Sequence, residues 1–124
     1  MEPSPAQELT GTFLFDIKAE TKVNMERKFV MPYIYIDIRI DSFPNVLAKF
    51  TIACVFEIQN FETAVTINDQ NLYVVLQELD MTLRSAAIAT SRGVIYSELR
   101  GTHLHNAIMP LVDITNFAQQ PAIP

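Results

Sequence analysis

The chain has one cysteine, Cys54, three glycines, no tryptophan and no excess of basic residues. Each shortage closes a route. A lone cysteine excludes an internal disulfide and suits a reducing compartment. Nine Lys and Arg against fourteen Asp and Glu give a net charge of −5, so a nucleic-acid backbone is an unfavourable ligand. No glycine-rich phosphate loop, Walker pattern or Ser/His/Asp set occurs. No apolar run is long enough to cross a bilayer. MEPSPAQELT at the start lacks the positive charge and apolar stretch of a signal peptide. The expectation is a cytoplasmic protein with no membrane insertion, no cofactor and no enzymatic activity.

What is abundant is apolar material. Hydrophobic residues make up 49% of 124, rich for a body with so much surface per volume, so either the core is unusually dense or some apolar surface is meant for a partner. Residues 1–11 and 118–124 read as flexible, Pro-containing tails around a single domain over 12–117. TFLFDIKAET (12–21) alternates, with Phe13, Phe15, Ile17 and Ala19 on one side and Asp16, Lys18 and Glu20 on the other. MPYIYIDIRID (31–41) puts Ile34, Ile36, Ile38 and Ile40 against Asp37, Arg39 and Asp41. A third strand, 45–59, aligns Ala48, Phe50, Ile52, Cys54, Phe56 and Ile58. Short links predict an antiparallel meander with one greasy face and one face of mixed charge. Pro32, unable to donate to a ladder, is expected at a strand's start or on an edge.

After Glu62 the period lengthens. Asn68 or Asp69 can cap a helix carrying Leu72, Val75, Leu76, Leu79 and Leu83. A second helical stretch, set off by a kink, covers 82–100. Leu83, Ala87 and Val94 form one stripe on it; Ile88, Ile95 and Leu99 form another on a different side. A helix apolar on several sides is buried on several sides, and three or four strands cannot cover it. These six residues therefore predict a homo-oligomer interface. Small residues beside them, Gly93 among them, predict close approach of a neighbouring backbone. Arg100 and Gly101 suit the helix end. Residues 104–117 then form an irregular apolar arm, kept irregular by Pro110.

Strands followed by a long helix ending in RGT, then an apolar Pro-containing loop and NF, resemble the SecB-like family of export chaperones. The carrying residues are ATSRGVIYSELRGTHLHNAIMPLVDITNF (89–117), after FDIKAE (15–20) and CVFEIQNF (54–61). The resemblance implies an α+β fold with an antiparallel sheet of three or four strands and a long helix on one face, assembled as a dimer or dimer of dimers. It also implies partners: unfolded or precursor polypeptides, and a translocation motor or a toxin–antitoxin pair. That family has four strands per subunit; three are legible here, and the first is the one missing.

On this reading a peptide groove is expected from Phe61, Leu72, Tyr73, Leu76 and Tyr96, with Ile108 and Leu111 from the arm. An acidic docking face would comprise Asp16, Glu20, Asp37, Asp41 and Glu57. His103 and His105 read as loop residues rather than metal ligands, since zinc needs three or four donors and only Asp113 is near in sequence. Cys54, on an apolar face, reads as packing. The leading function is a holding chaperone; the alternative is an oligomeric adaptor module of the same fold without client binding.

Overall fold

The structure, a computed structural model, describes residues 11–110. Three long strands, β1 (Phe13–Asn24), β2 (Phe29–Ile40) and β3 (Phe43–Ala53), form an antiparallel meander in the order β1-β2-β3, and the two-residue β4 (Phe56–Glu57) also pairs with β2. Then come a short helix α1 (Phe61–Ala64), a hairpin of β5 (Val65–Ile67) and β6 (Tyr73–Val75), and the long helix α2 (Gln77–Leu99). This is an α+β fold with α2 on one face of the sheet.

The alternation legible in the sequence sets the core. Ile34, Ile36 and Ile38 are 0% exposed and Ile40 is 1%. Burying each contributes about 1.5–3 kcal/mol. Ile34, Ile36 and Ile38 pack with Ala87, Ile88, Ile95 and Leu99 of α2 and with Leu104, Ala107 and Met109 beyond it. The irregular arm thus returns to the core over its described part; Leu111, Val112, Asp113, Ile114 and Phe117 lie outside the described residues. Gly101 takes the left-handed conformation that ends the helix, at φ 78°. Thr102 closes the end, its N–H and hydroxyl both donating to Leu99 O.

Four expectations are corrected. Pro32 sits inside the central strand, with its ring fully buried. It faces Cys54, whose N–H donates to Pro32 O at 3.1 Å, while the return bond cannot form. Phe29↔Glu57 and Val30↔Phe56 keep the register of Tyr33↔Ala53, so β3 and β4 are one strand whose ladder is interrupted by a missing donor. The helix does not begin at Asn68. That side chain instead accepts from the N–H groups of Gln70 (2.9 Å) and Leu72 (3.0 Å), folding the β5–β6 turn, and Asn71 adopts φ 61°. No kink divides the helix: α2 runs unbroken for 23 residues. And Gly93 is not a packing point, since a Cβ there would meet nothing within 4 Å.

Candidate functional site

The six residues assigned to an oligomer interface come apart. Leu83, Ala87, Ile88, Ile95 and Leu99 are buried within the single chain, and only Val94, at 36%, is exposed. At about 100° per residue the two stripes are the flanks of one face. Its middle is occupied by Asp80, Arg84 and Ser91, all buried. Polar residues at the centre of the buried arc made one face read as two. They are bonded there: Thr21 Oγ1 on β1 donates to Asp80 Oδ1 at 2.6 Å, Arg84 Nε donates to Thr21 Oγ1 at 2.9 Å and to Asp80 at 3.2 Å, and Ser91 Oγ donates to Ala87 O at 2.8 Å. One protomer covers its own helix.

The expected groove residues do not converge. Phe61 is 1% exposed, packed with Val23, Val30 and Leu83. Tyr73 is half-buried on the hairpin, and Leu72 half-buried in its turn. Leu76 (53%) and Tyr96 (57%) are exposed but lie at opposite ends of α2, roughly 30 Å apart at 1.5 Å per residue. Ile108 is 63% exposed, and the Met109 carbonyl next to it accepts from Arg92 Nε of α2 at 3.1 Å. Leu111 is outside the described residues.

The opposite face of the sheet carries what sequence reading passed over. Phe29, Met31, Tyr33 and Tyr35 alternate with the buried residues of β2, so they form a column on the side away from α2, each partly exposed. Register places exposed Ala53 and Thr51 beside Tyr33 and Tyr35. Val55, 56% exposed, continues that row. No described element packs on this column. Its tyrosines are held in place: Lys22 Nζ lies 4.3 Å from the Tyr33 ring centroid, the two rings stack at 6.3 Å, and Tyr35 OH donates to Glu20 Oε1 at 2.5 Å. The hydrogen bond to that carboxylate pushes the Tyr35 phenol up to about 12.

The other half of this face is charged. Asp16 and Asp37 stand opposite each other on β1 and β2, and Arg39 grips Asp16 through two hydrogen bonds at 2.7 and 3.2 Å. That contact holds the Asp16 carboxyl below its ordinary value and raises Arg39. Asp16, Glu20, Asp37 and Glu57 do share the face, but Lys18, Lys22, Arg39 and Lys49 stand among them, so it is charge-balanced rather than acidic. Asp41 is engaged at the turn, accepting from Thr12 N at 3.0 Å. Cys54 faces the core, where burial raises its thiol. His103 and His105 are exposed in the post-helix turn, with His105 Nδ1 2.8 Å from Thr102 O. Among the described residues no three His, Cys, Asp or Glu side chains gather as a metal site, and no helix is long and apolar enough to cross a membrane.

The methionine and tyrosines of this column had a signal in MPYIYIDIRID. The residues between the isoleucines are aromatic in its first half and charged only in its second. No family model, no curated protein and no solved structure matches this chain, so the resemblance to SecB-like chaperones rests on the quoted residues alone.

Proposed function

We propose that this chain is a cytoplasmic, non-enzymatic polypeptide-binding protein that holds extended apolar segments of non-native chains on the helix-free face of its sheet. One observation carries the reading: Phe29, Met31, Tyr33 and Tyr35, with Ala53 and Val55 alongside, make a contiguous apolar strip that no described element covers. Scattered exposed apolar residues are ordinary; a contiguous strip rimmed by charge is how binding surfaces are built. Tyrosine suits the role, giving a segment apolar area from its ring and a polar tip that tolerates water between encounters. Capture would be by hydrophobic burial, needing no nucleotide. A translocation motor or a toxin–antitoxin pair as a downstream partner rests on the family resemblance only.

The test is direct. Mixed with a slow-folding client at equal molar ratio, the protein should suppress the light scattering of aggregation. Unchanged scattering rejects the holding reading.

A second reading is an adaptor module with one fixed partner. The anchoring of Tyr33 by Lys22 and of Tyr35 by Glu20 favours it, because a pre-set surface suits a single complementary partner better than many sequences. Selective capture of one folded protein, with no effect on client aggregation, would support it.

A further inference from the structure

The two edges of the sheet are not equivalent. In the β1–β2 ladder Asp41 N donates to Thr12 O, so even-numbered residues of β1 turn their backbone groups inward and odd-numbered ones turn them to the edge. Phe13, Phe15 and Ile17 on that edge are partly exposed, yet Ala19, Thr21 and Val23 are 6%, 1% and 3% exposed: the rest of the fold covers that half of the edge. On β3 the bonds Cys54 N to Pro32 O and Ile58 N to Lys28 O assign even residues inward. Lys49, Thr51, Ala53, Val55 and Glu57 therefore direct their N–H and C=O groups outward, and all five are exposed. Phe50, Ile52 and Cys54, although on the core face, remain partly exposed, unlike their neighbours Ile34 and Ile36. Among the described residues no strand pairs with this edge from Lys49 to Glu57.

Pro44 and a register shift against β2 guard its first part, but the stretch after Lys49 is unguarded. Soluble proteins blunt exposed edges with charge, proline, bulges or short strands. From Phe50 to Phe56 the sequence is FTIACVF, with no charge, proline or glycine, and rich in strand-forming residues. Such a segment left bare is an aggregation site. Its only nearby charges are Lys49 just before it and Glu57 just after it. They are opposite in sign and equally distant from Ala53.

We infer that the β3 edge is a self-association surface, where two copies pair antiparallel about a two-fold axis at Ala53. In this register Lys49 of each copy faces Glu57 of the other. Thr51 faces Val55, and Ala53 faces Ala53, with outward backbone groups exchanging hydrogen bonds. On the core side Phe50 faces Phe56 and Ile52 faces Cys54, so apolar meets apolar throughout. Sliding by one repeat sets Lys49 against Val55 or Gln59 and leaves both charges unmatched. Charge and apolar pattern select the same register, and a two-fold axis perpendicular to the sheet keeps like faces together. The product is a continuous six-stranded sheet with both α2 helices on one face. This goes beyond the holding reading and does not depend on it.

The experiment is sedimentation equilibrium of the full chain. The parent protein should run at twice the mass of one chain. Lys49→Glu and Glu57→Lys should each weaken self-association at least 10-fold by setting like charges opposite. The double variant K49E/E57K should recover it, because the pairs reform with signs exchanged. Ala53→Pro, which removes only an outward-facing N–H, should give a monomer with unchanged far-ultraviolet circular dichroism. A monomeric parent, a double variant no tighter than the singles, or an Ala53→Pro protein that dimerises as the parent does would overturn the inference.

Discussion

Three polar side chains decided how α2 should have been read. Thr21, Asp80 and Arg84 are 1%, 6% and 0% exposed, yet all look like surface residues in sequence. Nothing local reveals that Arg84 lies on the buried face of α2, because its partner Thr21 is 63 residues away. Its other partner was legible in principle, since Asp80 and Arg84 are spaced i, i+4 on a helix face. Burying such a pair gains little over an apolar pair, but losing one member is costly. Arg84→Met should therefore destabilise the fold by about 3–5 kcal/mol, since the Asp80 carboxylate is left buried without its cation. Replacing both, as Asp80→Leu with Arg84→Met, should recover most of the loss. Urea unfolding monitored by circular dichroism separates the cases. A single variant as stable as the parent would mean that the ion pair is not what holds α2 to β1.

Among the elements, the strands were legible and the hairpin was not. Strict alternation of isoleucine fixed β2 and its buried face; the same alternation aligned β3 through Ile58, as one strand. In 65–76 the spacing of Leu72, Val75 and Leu76 fits a helix, while Val65, Thr66, Val74 and Val75 favour strand. The turn bonds of Asn68 decided between them, and side-chain-to-backbone competition of this kind does not show in periodicity. Pro32 shows the reverse failure. The rule that proline avoids central strands is an energetic preference, and here one missing donor is tolerated in a ladder that keeps its register on either side of it. Pro32→Val replaces the ring with an apolar side chain of similar size and supplies an N–H facing Cys54 O. It should stabilise the protein by about 0.5–1.5 kcal/mol, the net worth of one hydrogen bond. Amide exchange provides the check: the amide introduced at position 32 should be protected like that of Ile34. Rapid exchange there would show that β3 and β4 are separate strands after all.

At the scale of the molecule, the sequence announced excess apolar surface correctly and located it wrongly. The excess was assigned to α2 because the helix was legible, whereas α2 is covered by its own chain and the open surface belongs to the sheet. The helix-free face and the β3 edge meet at Ala53 and Val55, which border both. Pairing at that edge would bring two Tyr33 columns to either side of the seam, three strand spacings or about 14 Å apart, on one uninterrupted face. An extended segment crossing the seam could then touch both. Holding and pairing become separable properties with a predicted asymmetry. Met31→Ser with Tyr33→Ser removes apolar area from the face without touching the edge, so client holding should fall several-fold while the mass stays that of the parent. Ala53→Pro leaves each column intact but separates the copies, so holding per chain should fall less than in the face variant and should recover as client is shortened to a segment that one column can span. Light scattering of client aggregation beside sedimentation mass reads both at once. If the face variant holds as well as the parent while its mass is unchanged, the sheet face is not the binding surface, whatever the edge proves to do.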